Sequence, residues 1–291
     1  MSNPDSPGTY KSCLVKFFHL HPPDPIDRFT TSYWVRPYVL LITRTLSLSY
    51  ALATFIGRFI LLQNRLYSYI FYFTNLSYIG LLLYFMIAFI LSVMYIRGSE
   101  LQFLRGVWGL IVWIIYELFA TFHLLVPIVF WAILFPAAFE EARDAKISPG
   151  YTWSTISVHA LDLILLIPEV VLNRIPIAVA HMIFVVIILL LYMFETWIVH
   201  AQTGKWVYPF LNWDPPGRAA GYYLGVLVLT LLIFLVQYAV YRLKEWTARR
   251  IDSRKKEKNR ARENGDVESN AMSELSPTLD SIEMKENHRG H

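Results

Sequence analysis

Thr74 and His159 are a hydroxyl and an imidazole set in long apolar runs, a setting that asks what either is for. As a pair they could do nucleophilic catalysis, the imidazole removing the threonine proton while the hydroxyl attacks an ester carbonyl. The attacked oxygen becomes an oxyanion and needs a donor, for which the Asn75 amide or a freed backbone N–H is a candidate. Asp162, one helical turn below His159, could fix the imidazole tautomer as a triad acid does. Plainer readings stand beside these. A membrane threonine commonly bonds back to a carbonyl one turn earlier or joins helices together. His159 and Asp162 could simply satisfy one another.

The other buried polar residues widen the field. Glu117, His123, His181 and Glu195 also interrupt apolar runs, and His123, His159, His181, Asp162 and Glu195 could supply zinc ligands. No His-x-x-x-His pair or histidine box is present, so neither metal nor cofactor is expected. At 100° per residue Thr155, His159, Asp162 and Glu169 fall within an arc of roughly 80°. That stripe must face other helices or water, because an ionisable group at mid-bilayer costs about 2.5–3.5 kcal/mol on insertion scales.

The elements that carry these residues are membrane spans. Hydrophobic residues make up 55% of the chain and charged ones 16%, against about 45–50% and 25% in soluble domains. Six apolar segments, near 38–62, 67–96, 107–136, 155–172, 176–199 and 220–242, approach the roughly 20 residues that cross a hydrocarbon core. The predicted fold is therefore all-α and polytopic, about six transmembrane helices in one bundle (38–242). A polar, proline-containing arm (1–37) precedes it, and a basic, then disordered tail (243–291) follows. The arm lacks the apolar core of a cleavable signal. The lone Cys13 excludes an internal disulfide and reads as an ordinary thiol or an acylation site.

Orientation follows from the positive-inside rule. The net charge of +4 comes mainly from the tail, where it signals topology and attraction to anionic lipid and not nucleic acid. The tail puts the C-terminus in the cytosol, and six spans put the N-terminus there too. Segments two and four then begin on the opposite side. Counting from those starts puts Thr74 some 10 Å deep and His159 roughly 6 Å deep at 1.5 Å per residue, a depth suited to a lipid ester just beneath the headgroups. The membrane is that of the endoplasmic reticulum or the cell surface; oligomeric state is open.

The stretch His200-Ala201-Gln202-Thr203-Gly204-Lys205-Trp206-Val207-Tyr208-Pro209-Phe210-Leu211 resembles the signature of the family of the androgen-induced gene one protein and the androgen-dependent TFPI-regulating protein. Phe73-Thr74 and the spacing of His159 to Glu169 fit it as well. The likeness runs from about Tyr67 to Tyr241. It implies an integral membrane hydrolase of fatty acid esters of hydroxy fatty acids, with Thr74 as nucleophile and His159 as its partner. Ile156 stands where that family's histidine can have a companion histidine, and Asp162 has no counterpart there. Tyr72-Phe73-Thr74-Asn75 also resembles the rolling-stone membrane proteins, linked to cell fusion and not to known catalysis.

Two functions follow. One is an esterase that takes lipid esters laterally from the bilayer, with Thr74 and His159 at its centre and Asn75, Asp162, His200 and Glu195 as supporting candidates. The other is a non-catalytic multi-pass protein acting by association through its polar stripe or its tail. A transporter is a third class, suited to buried ionisable residues but lacking the inverted repeats or paired broken helices such folds show. Without the family likeness, His200, Trp206 and Tyr208 read as an interfacial aromatic loop over the bundle mouth.

Overall fold

A backbone in lipid has no water to satisfy its N–H and C=O groups, so apolar runs of this length fold as helices. The computed structural model describes residue 15 and residues 18–61, 69–135 and 149–287, with side chains through residue 264. Cys13 and the stretches 62–68 and 136–148 lie outside the described residues. Helix α1 is Pro37–Leu61, α2 is Phe73–Ile96 and α3 is Val107–Val129, the last continued by a π-turn over Phe130–Leu134. The fourth span is composite: α4 (Pro149–Ile156), a π-turn over Ser157–Leu161, and α5 (Asp162–Leu172). Helices α6 (Met182–Thr203) and α7 (Pro216–Asn287) complete the chain. Six helical stretches are long and apolar enough to cross a membrane, and no regular strand occurs among the described residues.

The chain divides into two compact units, Met1–Tyr241 and Arg242–His291. In the first, α3 is central: 56% of its apolar stretch is buried, against 33% or less for every other span. It lies against α2, α5 and α6, while α1 lies along α2, α4 and α5. Tyr84 stacks on Phe119 at 4.4 Å, and Leu81, Phe85, Tyr116 and Ala120 are buried around them. Ile42, Leu46, Ile90, Leu191, Leu232 and Val236 remain exposed on the outer faces. A surface that apolar is a liability in water and the natural one in lipid.

Charges inside this unit are paired, as a low dielectric demands. Arg44 is fully buried and bonds Glu169 through Nε (3.0 Å) and Nη2 (2.6 Å), while its Nη1 reaches Ser92 and the Phe29 carbonyl. The arm from Phe18 onward is built into the bundle. The His181 ring contacts the Phe18 carbonyl through Nε2 at 3.0 Å, Trp34 donates to the Val171 carbonyl, and Arg174 donates to Thr31. Phe29 and Thr30 are buried there.

Two boundaries differ from the sequence reading. The second span was expected from residue 67, but its regular helix starts at Phe73: residues 69–71 form a 3-10 turn and Tyr72 is extended. Hydropathy cannot register that break, since every residue in it is apolar or aromatic. Residues from 263 onward were expected to be disordered, yet the helix continues to Asn287. Extending an existing helix avoids the cost of nucleation, and the Lys-, Arg- and Glu-rich run from Arg242 to Arg262 that leads into it is made of good helix formers. Pairs one turn apart, Arg249–Glu245 and Lys256–Asp252, both at 2.8 Å, add modest support.

Candidate active site

Thr74 is the second residue of α2, half-buried in its first turn. The first N–H groups of a helix have no intrahelical partner, and here they find different ones. The Phe73 N–H donates to the Tyr192 hydroxyl at 3.2 Å, and those of Asn75 and Leu76 donate to the Tyr72 carbonyl. Tyr192, on α6, is fixed by donating its own proton to the Phe71 carbonyl at 3.0 Å. The Thr74 N–H and hydroxyl face the phenol of Tyr208 instead, which also reaches Tyr192 and the Phe73 N–H. Thr74 lines an apolar cavity of about 480 Å³ between α2, α3, α6 and the start of α7, walled by Phe130, Leu189, Tyr192, Leu211 and Val226.

Tyr208 arrives there from the loop between α6 and α7, and the local sequence explains how. Gly204 takes a left-handed conformation (φ 70°) and ends α6, its N–H donating to the His200 carbonyl at 2.8 Å. Glycine carries no Cβ penalty in that region. His200 stacks on Trp206 with ring centres 3.9 Å apart, which folds the loop back on the helix end. Pro209 holds its predecessor extended, and Tyr208 is so (φ −124°, ψ 142°) before the 3-10 turn Pro209–Leu211. The Tyr208 ring sits between Tyr72 and Phe210, at 5.7 and 5.3 Å, and is only 9% exposed. Burial pushes its phenol pKa up from the ordinary value near 10.

His159 lies in the π-turn of the fourth span and packs against the π-turn that ends the third. Its ring stacks on Phe130 at 3.6 Å and 3°, and its carbonyl accepts the Trp131 indole N–H at 2.8 Å. A π-turn interrupts the regular helical bonding and recurs at functional sites. The His159 Nδ1 is buried without a hydrogen-bond partner among the described residues. Phe130 lines the Thr74 cavity and His159 does not, so the imidazole stands one ring behind its wall. No hydrogen bond joins Thr74 to His159 in this arrangement. The depths of some 10 and 6 Å counted from sequence rested on segment starts that differ from the helix starts, since Thr74 opens α2 whereas His159 lies beyond the end of α4.

The other two bundle histidines are engaged at both nitrogens. His123 meets Asp162 Oδ2 through Nδ1 (3.0 Å) and the Ser77 carbonyl through Nε2 (3.0 Å). His181 meets Glu117 Oε2 (2.6 Å) and the Phe18 carbonyl, and Glu117 also accepts the Ala178 N–H. Asp162 therefore partners His123 and not His159, against the tautomer role read from spacing. One turn along a helix brings two side chains onto one face, but the neighbouring helix decides which partner each takes.

Asn75 is turned away from the cavity: its Oδ1 accepts from Arg58 Nη2 (2.9 Å) and its Nδ2 donates to the Tyr69 carbonyl (2.8 Å). Arg58 also donates to the Ser154 hydroxyl at 2.9 Å, tying α1 to α2 and α4. His200 serves the loop through its stack on Trp206. Glu195 lines a second apolar cavity, of about 420 Å³, which shares Phe73 and Tyr192 with the first and includes Ser77 and His123. Among the described residues no three His, Cys, Asp or Glu side chains gather as a metal site. Sequence reasoning missed Tyr208 and Phe130 as lining the cavity and Arg58 as the partner of Asn75. The signature tyrosine was in view but was read as an interfacial anchor, and nothing local to Phe130 or Arg58 announces a role.

A family model described as FAR-17a/AIG1-like protein matches residues 58–242, which takes in Thr74, His159 and Tyr208. The chain is 22% identical to Protein rolling stone of Drosophila melanogaster over 153 residues, 50% of this chain and 52% of that protein. It thus spans about half the length of the curated relative it matches. No solved structure matches it.

Proposed function

The chain belongs to the FAR-17a/AIG1-like family, and on that premise we propose that it is a membrane-embedded ester hydrolase with Thr74 as nucleophile and His159 as base. Its substrates are lipid esters drawn from the bilayer, of the class of fatty acid esters of hydroxy fatty acids. The observation that carries this reading is the position of Thr74: a hydroxyl beside the phenols of Tyr192 and Tyr208 in the lining of an apolar cavity large enough for an acyl chain. Apolar walls with a few convergent polar groups are the usual make-up of a small-molecule site.

The chemistry needs a base, and His159 is the bundle histidine not committed to a carboxylate. Phe130 covers it at rest. In this reading the acyl chain displaces the Phe130 ring on entering the cavity, which uncovers the imidazole as the ester reaches Thr74. His159 takes the Thr74 proton and passes it to the leaving alkoxide, and water then releases the acyl group by the same two steps in reverse roles. Both termini lie in the cytosol, where the basic tail meets anionic lipid.

A fluorescent alkyl-phosphonate probe tests this on purified protein in detergent. Wild type and Thr54→Ala should be labelled, while Thr74→Ala and His159→Ala of matched expression should not. Well-folded wild type that takes no label sinks the hydrolase. It would favour the second reading, a protein that acts by association, which has its own support in the likeness to rolling stone and in the Glu195 Oε2, buried without a partner among the described residues.

A further inference from the structure

The signature loop carries a tyrosine that the reaction as proposed leaves unused. Tyr208 is nine-tenths buried and lines the same cavity as Thr74, its phenol within reach of the Thr74 hydroxyl and N–H. Little about a mere interfacial anchor requires this. Tyrosines of an aromatic belt keep their hydroxyls toward the headgroups, whereas this one points its hydroxyl into the bundle, over the first turn of α2. The Thr74 N–H beside it has no backbone partner among the described residues, while its neighbours at Phe73, Asn75 and Leu76 are all taken. Asn75, the donor expected from sequence, is committed to Arg58 and Tyr69.

We propose that Tyr208 is the oxyanion donor of this site, its O–H and the Thr74 N–H together holding the carbonyl oxygen of the ester that Thr74 attacks. The inference rests on the hydrolase reading and deepens it. As Thr74 Oγ bonds to the carbonyl carbon its proton passes to His159, and the C=O π pair moves onto oxygen. That oxygen accepts from Tyr208 and from the Thr74 amide. Collapse re-forms the C=O bond and expels the hydroxy-acid oxygen, which leaves with the proton from His159. Water repeats the sequence on the acyl-threonine, and the same two donors hold the second oxyanion. Tyr208 gives up no proton at any stage. Donors placed where charge develops, in a site shielded from water, are among the strongest contributions to such reactions.

This also gives the spacing within the signature a reason. Gly204 stops α6, the His200–Trp206 stack turns the chain, and Pro209 holds Tyr208 extended, so that its ring passes between Tyr72 and Phe210 to the start of α2. Tyr192 has a different part. Its proton is spent on the Phe71 carbonyl, so it positions the start of the helix and does not serve the ester.

The test uses full-length protein in detergent with p-nitrophenyl palmitate as substrate and a long-chain alkyl trifluoromethyl ketone as a mimic of the tetrahedral adduct. Tyr208→Phe keeps the ring and removes the O–H. Its kcat should fall about 100-fold or more, the usual cost of one oxyanion donor, with KM within about twofold and the thermal midpoint unchanged. Affinity for the ketone should fall in step with kcat, and affinity for palmitic alcohol should not. A purely structural tyrosine would lower the midpoint and both affinities together. Tyr208→Phe with kcat within threefold of wild type, where Thr74→Ala is dead, overturns the inference and leaves the hydrolase standing. If wild type shows no Thr74-dependent turnover, both fall. Should Tyr208→Phe prove unstable, Tyr208→Trp with its indole N–H provides the check: ketone binding retained there and lost in Tyr208→Leu supports the donor, and equal loss in both overturns it.

Discussion

Arg44 and Glu169 meet inside the bundle through contacts of 3.0 and 2.6 Å, with the Tyr84 hydroxyl on Glu169 Oε1 at 2.5 Å and Asn173 Nδ2 on the same oxygen at 3.3 Å. Every charge-bearing atom of the pair has a partner, so the pair holds only while both members are present. Removing one member of a buried ion pair costs about 3–5 kcal/mol. Glu169→Ala should therefore lower the midpoint of thermal unfolding in detergent sharply, and Arg44→Met added to it should recover part of the loss. A single variant as stable as wild type would show that the pair is open to water. Tyr208 allows a statement about pH. Its phenol is raised above its ordinary value near 10 by burial, so it stays protonated, and a donor, throughout the neutral and mildly alkaline range. Turnover should accordingly show no alkaline loss attributable to a tyrosine below about pH 10. A descending limb near pH 8 that is present in wild type and absent in Tyr208→Phe would contradict this.

Among the elements, the two π-turns and the α6–α7 loop carry most of the site. Phe130–Leu134 and Ser157–Leu161 face one another, joined by the Phe130–His159 stack and the Trp131 bond to the His159 carbonyl. Two glycines, one in the first turn of α3 and one at the end of α6, differ in how they tolerate change. At Gly109 an added Cβ would come within 1.9 Å of the Leu104 carbonyl oxygen, a backbone atom that cannot step aside. Gly109→Ala should fail to accumulate as folded protein, as judged by size-exclusion of the detergent-solubilised chain. At Gly204 an added Cβ meets nothing within 4 Å, and only the positive φ of 70° is strained. Gly204→Ala should cost about 1 kcal/mol and leave a folded protein. If Tyr208 depends on this turn, turnover should drop by more than the small change in thermal midpoint suggests.

At the scale of the molecule, an even number of spans returns the chain to the side from which it entered. The division between the two compact units falls after Tyr241, which allows the tail to be tested apart from the proposed hydrolysis. A chain ending at Arg242 should keep its thermal midpoint and its Thr74-dependent phosphonate labelling. It should lose retention on vesicles rich in anionic phospholipid that an isolated tail peptide shows. Labelling lost with the tail, in a chain still folded, would tie the second unit to the site. The apolar outer faces of α1, α2, α6 and α7 account for how much of this molecule is legible without a structure. They are long, uninterrupted and too apolar for water, so composition alone counts the spans correctly and recognises the class.

Much of the rest was within reach of the sequence because it depends on order along the chain. The six-span class follows from run lengths, and the family follows from a signature whose glycine, proline and aromatic spacing encodes one local turn. Thr74 and His159 stand out because an ionisable or hydroxyl group in an apolar run has to be explained. What one-dimensional spacing could not supply is the partner of each polar side chain. Asp162 lies a turn from His159 yet bonds His123 on another helix; Asn75 adjoins Thr74 yet serves Arg58. Tyr208 is far from Thr74 in sequence and faces it in space. Hydrogen bonds in a bundle are made across helices, and rotation, π-turns and loop closure set those contacts, none of which leaves a trace in periodicity.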